Sequence, residues 1–265
     1  MNYIGQIREQ NPLIHNITNT VVANFSANGL LALGASPAMA NAPEEAAEMA
    51  SHADALVLNI GTCTKEQTEA MILAGVAANQ KGIPVVLDPV AVGATVFRSS
   101  SVKRILDQVD VTVICGNAGE IAALGECDVE MKGADSSIEE IDDDIARKVA
   151  TRHGAVVIST GKTDVITDGK RVTKCKNGVE MLPFVTGTGC LLTAVIGAFS
   201  SVSMDFYEAS VKAVSTYGVA AELAVVRAEG PGTFLAAFID QLFMITEESV
   251  QARVMIVEEH RHEES

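Results

Sequence analysis

Three features of the 265-residue sequence predict an α/β fold with a mainly parallel central sheet and helices on both of its faces. Short Val- and Ile-rich runs alternate with segments of helical period. The runs are almost wholly apolar, as expected of strands covered on both faces. Each run is followed within two residues by Gly, Asp or Thr, so the residues with special chemistry gather at one edge of the sheet.

The predicted parallel strands are Ala55 to Ile60, Ile83 to Leu87, Val111 to Ile114 and Ala155 to Ile158. Between them Lys65 to Lys81, Ser101 to Val109 and Ile138 to His153 carry helical periodicity and complete βαβ units. Thr163 to Thr167 and Arg171 to Cys175 flank Asp168-Gly169, a turn dipeptide that predicts a hairpin. Thr188 to Ser203, Phe206 to Arg227 and Gly232 to Ile245 read as helices, and Glu258 to Ser265 as a frayed charged tail. An earlier apolar helix, Thr20 to Leu33, follows Asn19, a residue suited to an N-cap. No linker, charge block or internal repeat marks a seam, so residues 1–265 are expected to form a single domain.

Composition excludes several classes of function. A formal charge of −15 opposes nucleic-acid binding, which needs clustered Lys and Arg. Cys63, Cys115, Cys127, Cys175 and Cys190 are odd in number and lack C-x-x-C spacing, which fits a reducing compartment and argues against zinc. Met1 to Gln10 has no apolar core of the kind a secretory signal carries. Cys190 to Met204 is too short for a membrane span, and Val211 to Val226 contains Lys212 and Glu222. A cytosolic protein without membrane partners is expected.

The sharpest local motif is Val185-Thr186-Gly187-Thr188-Gly189-Cys190, which opens the apolar helical run Leu191 to Phe199. Glycines at a helix start leave backbone N–H groups unobstructed and aimed at one point, where the helix dipole also favours an anion. A glycine turn that merely begins a buried helix fits the same residues. Asp88 and Glu120 each follow a predicted strand and suit a hydrated Mg²⁺, which takes one or two carboxylates and keeps its waters. Taken singly, Asp88 equally fits a turn before Pro89, and Glu120 a favourable charge in a helix's first turn. His15 reads as a core or turn histidine, and no Ser/His/Asp spacing supports nucleophilic chemistry.

Gly187-Thr188-Gly189-Cys190 resembles the anion hole of ribokinase-like vitamin kinases, in which Asp usually holds the last position. The Cys form, together with Asn11 to Asn19 and Ala27 to Met39, is similar to hydroxyethylthiazole kinase. The likeness runs in order through Asn59 to Thr62, Asp88 to Ala94, Gly116 to Ile121 and Gly230 to Phe234, nearly the whole chain. It implies a ribokinase-like fold and transfer of the terminal phosphate of ATP to the hydroxyethyl group of 4-methyl-5-(2-hydroxyethyl)thiazole, with Mg²⁺. It also implies a homotrimer with sites at subunit boundaries, although simple core packing accounts equally well for the apolar Thr20 to Leu33 helix.

Residue by residue, the resemblance assigns Gly187, Thr188, Gly189 and Cys190 to catalysis, Asp88 and Glu120 to the metal, and Asn19, Met39 and Gly187 to the thiazole. Cys115, Asn117 and Thr160 fall at the nucleotide. Asn19 competes with its capping role and Met39 with ordinary packing. A helix N-terminus lowers a thiol's pKa below about 8.5, so Cys190 is expected to be a weak, assisting base. One departure stands out: Cys115 occupies a position where the family commonly has Lys or Arg, which implies weak ATP binding unless Lys162 or Arg98 reaches the phosphates. A kinase for a hydroxymethyl pyrimidine and a non-catalytic thiazole binder are the competing readings.

Overall fold

The computed structural model describes residues 2–125 and 141–259. Its strands are β1 Leu13–Ile17, β2 Ser36–Ala38, β3 Ala55–Asn59, β4 Val85–Asp88, β5 Val113–Asn117, β6 Val156–Thr160, β7 Asp164–Thr167, β8 Val172–Cys175 and β9 Ile256–Glu259. They form one sheet in the order β2-β1-β3-β4-β5-β6-β7-β8-β9. Neighbours from β2 through β6 are parallel, and those from β6 to β9 antiparallel.

The helices are α1 Tyr3–Gln10, α2 Ala23–Leu33, α3 Pro43–His52, α4 Lys65–Lys81, α5 Val96–Leu106, α6 Ala118–Gly125, α7 Asp143–His153, α8 Thr188–Ser201, α9 Phe206–Val225, α10 Pro231–Met244 and α11 Glu247–Gln251. Side chains alternate across each strand, and the sheet therefore carries a core on each face. Leu56, Leu58, Leu87, Ile114 and Val157 pack with residues of α3 to α7. Val57, Val86, Val113, Cys115 and Ile158 pack with α1, α2 and α8 to α10. The predicted two-sided α/β architecture is what the chain adopts.

Local signals account for sharp element ends. Thr64 caps α4 in a reciprocal capping box with Gln67, and Gly82 ends the helix in the left-handed conformation. The D-G hairpin is present as β7 and β8. Other boundaries move by a few residues: β4 and β5 start later than their apolar runs and include Asp88 and Asn117, and the helix expected from Ser101 is α5, starting at Val96. The first residues of the expected Ile138 to His153 helix, and Cys127, lie outside the described residues.

Two expectations need correction. The helix after Asn19 begins at Ala23, because Asn19 Oδ1 accepts from Val21 and Val22 N–H in a tight turn (3.1 and 3.2 Å) before the chain becomes helical. Glu258 and Glu259 are not frayed: they belong to edge strand β9 and pair with Thr173 and Val172. Residues 260–265 lie outside the described residues.

Register sets up the site. Asn59 lies opposite Asp88, and Asn117 opposite Thr160, so four polar residues end adjacent strands at the same edge. This is the edge where ligands bind in open α/β sheets.

Candidate active site

The start of α8 is built to present bare amides. Gly187 is its N-cap, at φ 89°, and offers no capping side chain. The first intrahelical bond runs from Leu191 N to Gly187 O (2.8 Å), so helix geometry leaves the N–H groups of Thr188, Gly189 and Cys190 without an intrahelical partner. A Cβ at Gly187 would fall 2.5 Å from Val22 Cγ1, whereas one at Gly189 would meet nothing within 4 Å. Gly187 shapes the turn, and Gly189 keeps the space in front of the amides open. The Thr188 hydroxyl turns back to Leu182 O and Val185 O (3.1 and 3.2 Å), while Tyr217 Oη donates to Thr188 O at 2.6 Å. Thr188 therefore contributes its amide and not its hydroxyl.

One turn further along α8, Thr193 reaches the sheet. Its Oγ1 lies 3.1 Å from Asp88 Oδ2, which also accepts from Asn59 Nδ2 at 2.6 Å. Asn59 Oδ1 in turn accepts from Asn19 Nδ2 at 2.9 Å, and Asn19 Nδ2 lies 3.5 Å from Cys190 Sγ. All four polar residues are buried. Burial, followed by the nearby Glu120 charge, raises the Asp88 carboxyl to about 7. Burial and the proximity of Asp88 raise the Cys190 thiol to about 12.

Glu120 has a double structural hold. Its Oε2 accepts from Asn117 N (2.8 Å) while Asn117 Oδ1 accepts from Glu120 N (2.9 Å), a reciprocal cap at the start of α6. Its Oε1 accepts from Ala91 N at 2.7 Å and so anchors a loop residue held at φ 55°. Each carboxylate oxygen keeps a lone pair for a water. Burial raises the Glu120 pKa, against the lowering pull of these N–H groups and of Arg98.

A cleft of about 810 Å³ opens beside these groups, lined by Asn117, Thr160, Lys162, Asp164, Thr188 and Gly189 among others. Thr160 Oγ1 donates to Gly116 O at 3.3 Å, tying β6 to β5 at the cleft floor. Asp164 accepts from Gly161 N, and burial raises its carboxyl to about 7. Lys162 and Lys176 bring positive charge to this wall of an otherwise acidic protein. The α8 amides thus stand between a roomy cleft on one side and the Asp88 cluster on the other.

The profile of the Hydroxyethylthiazole kinase family matches residues 4–248. The chain belongs to the hydroxyethylthiazole kinase family. It is 52% identical over 248 residues to hydroxyethylthiazole kinase 2 of Oceanobacillus iheyensis, covering 94% of this chain and 95% of the relative. It is 50% identical over 262 residues to hydroxyethylthiazole kinase of Listeria monocytogenes serotype 4a, covering 98% and 97%. The solved hydroxyethylthiazole kinase protein of Pyrococcus horikoshii OT3 superposes with a TM-score of 0.88 at 41% identity, over 97% of this chain and 98% of that one. Pyridoxal kinase of Staphylococcus aureus shares the fold at a TM-score of 0.59 and 18% identity, over 79% and 86% of the two chains.

The residues that the family resemblance singled out are brought together with two exceptions. Asn19 and Asp88 meet Cys190 at the start of α8, Glu120 acts on Asp88, and Thr188 and Gly189 line the adjoining cleft with Asn117 and Thr160. Met39 follows β2, two strands from Asn59 at the same sheet edge, and is half-buried. Cys115 does not line the cleft: it is 3% exposed and packs in the core under α8 and α9, because strand alternation turns it inward. Arg98 is not free for phosphate either, since it donates to Ile60 O, Gly61 O and Val90 O and knits two strand-end loops together. The Cys190 pKa is raised, not lowered as expected for a helix start, because the thiol is buried beside the Asp88 carboxylate.

Asn59, Thr193, Asp164 and Lys176 were not singled out from the sequence as site residues. A hydroxyl in the apolar run Leu191 to Phe199 was the available signal for Thr193. Asp164 and Lys176 flank a hairpin, where polar residues are ordinary.

Proposed function

We propose that this chain transfers the terminal phosphate of ATP to the hydroxyethyl oxygen of 4-methyl-5-(2-hydroxyethyl)thiazole, a salvage step toward thiamine. The observation that carries the reading is the uncapped start of α8, set between the cleft and the buried Asp88 cluster, in a chain about half identical to named hydroxyethylthiazole kinases.

The chain's own residues supply positioning and charge. The amides of Thr188, Gly189 and Cys190 would receive the phosphoryl oxygens as charge builds on them. The open face at Gly189 lets those oxygens approach. Lys162 and Lys176 would offset the charge of the nucleotide phosphates in the cleft, with Asn117 and Thr160 on the nucleotide side and no contact from Cys115. Asn19 would fix the thiazole ring, with Met39 packing against it. A loose phosphoryl-transfer transition state does not require early deprotonation of the alcohol, and a thiol raised to about 12 is unsuited to take that proton at neutral pH. Cys190 then acts by its amide and its packing.

Asp88 and Glu120 fit Mg²⁺: the half-buried Glu120 carboxylate helps to raise the pKa of the buried Asp88, a repulsion that a cation would relieve, and both oxygens of Glu120 are already committed in a way that suits contact through water. Bound there, Mg²⁺ would neutralise charge on the transferring phosphate.

A homotrimer with sites at subunit boundaries is supported by apolar side chains left exposed on adjacent helices: Leu31 on α2, and Phe243 and Met244 on α10. Sedimentation at roughly three times 27.8 kDa would bear this out.

The discriminating experiment is ADP release with ATP, Mg²⁺ and a panel of alcohols. Turnover with the hydroxyethylthiazole and not with a hydroxymethyl pyrimidine is expected. Turnover only with the pyrimidine would refute the substrate, and binding of the thiazole without turnover would make the protein a binder.

A further inference from the structure

Asn59 makes hydrogen bonds whose direction is set by groups that cannot reverse. Its Oδ1 accepts from the backbone N–H of Gly61 at 2.9 Å, so the other end of the amide must be the donor. That end meets Asp88 Oδ2 at 2.6 Å. Asn19 is polarised in the same way, because its Oδ1 accepts from the N–H groups of Val21 and Val22 and its Nδ2 is left to donate to Asn59 Oδ1 at 2.9 Å. Three backbone-anchored bonds therefore force a single donor direction from Asn19 through Asn59 to Asp88. Asn59 and Thr193 both meet Oδ2 of Asp88 and leave its Oδ1 clear of either donor. Space is matched as well: a Cβ at Gly61 would fall 2.8 Å from Asn19 Nδ2.

We propose that Asn59 is a positioning residue that couples the alcohol site to the metal site, orienting Asn19 through its carbonyl and Asp88 through its amide nitrogen. The inference rests on the functional reading above, in which Asn19 meets the thiazole and Asp88 the cation. Asn59 touches neither ligand. Its effect is to make the two sites correct or incorrect together. The nucleotide cleft is spared, because Asn59 is not part of its lining.

Two variants separate the halves of the relay. Asn59→Leu removes acceptor and donor; Asn59→Asp keeps the acceptor for Asn19 and Gly61 and removes the donor. Three readouts are taken on the full chain: calorimetric binding of the thiazole alcohol without nucleotide, Mn²⁺ binding with ADP by electron paramagnetic resonance, and binding of ADP without metal. For Asn59→Leu we expect thiazole and Mn²⁺ affinities each to fall about tenfold or more, the consequence of leaving buried polar groups unpaired, with metal-free ADP binding within about twofold of the wild type. For Asn59→Asp, thiazole affinity should stay within about threefold of the wild type. Wild-type thiazole binding in Asn59→Leu would overturn the proposal. So would equal loss in Asn59→Asp, or a parallel fall in metal-free ADP binding, which marks a general collapse. A wild-type protein that binds no thiazole alcohol would instead overturn the functional reading and take this inference with it.

Discussion

Gly187 and Gly189 sit two residues apart in the same turn, yet the structure assigns them opposite sensitivities. At Gly187 alanine must adopt φ near 89°, costing about 1–2 kcal/mol, and its Cβ would lie 2.5 Å from Val22 Cγ1, adding about 1–3 kcal/mol of overpacking. Gly187→Ala should therefore lose about 2–5 kcal/mol, or roughly 5–15 °C of melting temperature for a chain of this size. At Gly189 the Cβ meets nothing, and alanine is the better helix former by up to about 1 kcal/mol, so Gly189→Ala should melt no lower than the wild type. Its methyl group nevertheless projects into the space reserved for phosphate. Holding the phosphate off one well-placed amide is equivalent to losing that donor, which costs about 10²–10³ in rate, and kcat/KM for ATP should fall by about a hundredfold. Calorimetric melting beside a coupled ADP assay reads both quantities. A Gly189→Ala protein with unchanged kcat/KM would refute the anion-cradle assignment, and a Gly187→Ala protein with wild-type stability would refute the strain estimate.

Cys190→Ala should keep activity within about tenfold, and the rate profile between pH 7 and 9 should have the same shape as the wild type, since a thiol raised to about 12 does not titrate there. Arg171 pairs with Asp168 and Asp205 and lies over the Tyr207 ring at 4.0 Å, so Arg171→Ala should cost about 1 kcal/mol after allowing for solvent screening of these half-exposed groups. Hydrogen bonding from Arg171 lowers the Asp205 pKa, so this stabilisation is present above the unfolded carboxylate value near 4 and is lost as pH falls through the lower folded value; the variant should show a shallower acid transition in pH-dependent denaturation. His15 is buried, its Nε2 2.8 Å from Ala40 O, and burial lowers its pKa against the raising effects of that bond and of Glu45. Stability should thus decline as pH drops below about 6.5, where the unfolded histidine takes up its proton first, and His15→Gln should flatten that slope.

The centre of the sheet was legible because β3 to β6 are covered on both faces, which writes them as unbroken apolar runs. The same rule hid β1, whose His15 and Asn16 break the run although both side chains are buried, and β2, which is three residues long and contains Pro37. Strand β9 reads as a charged tail because an edge strand can leave Glu258 and Glu259 in solvent. At the site, the glycines of α8 announce themselves through local backbone chemistry. Asn59 and Thr193 do not, since their meaning comes from contact with Asp88 across elements far apart in the chain. Cys115 shows the limit of motif reading: neighbouring residues in a strand face opposite ways, and a position beside Gly116-Asn117 can point into the core.

The central claim is that the glycine-opened start of α8 receives the transferring phosphoryl group. A crystal structure of the chain with a non-hydrolysable ATP analogue, Mg²⁺ and 4-methyl-5-(2-hydroxyethyl)thiazole tests it most directly. The expected result is the terminal phosphate on the amides of Thr188, Gly189 and Cys190, with the thiazole hydroxyl facing it beside Asp88. A terminal phosphate bound away from these amides, with the thiazole in a separate cavity, would contradict it.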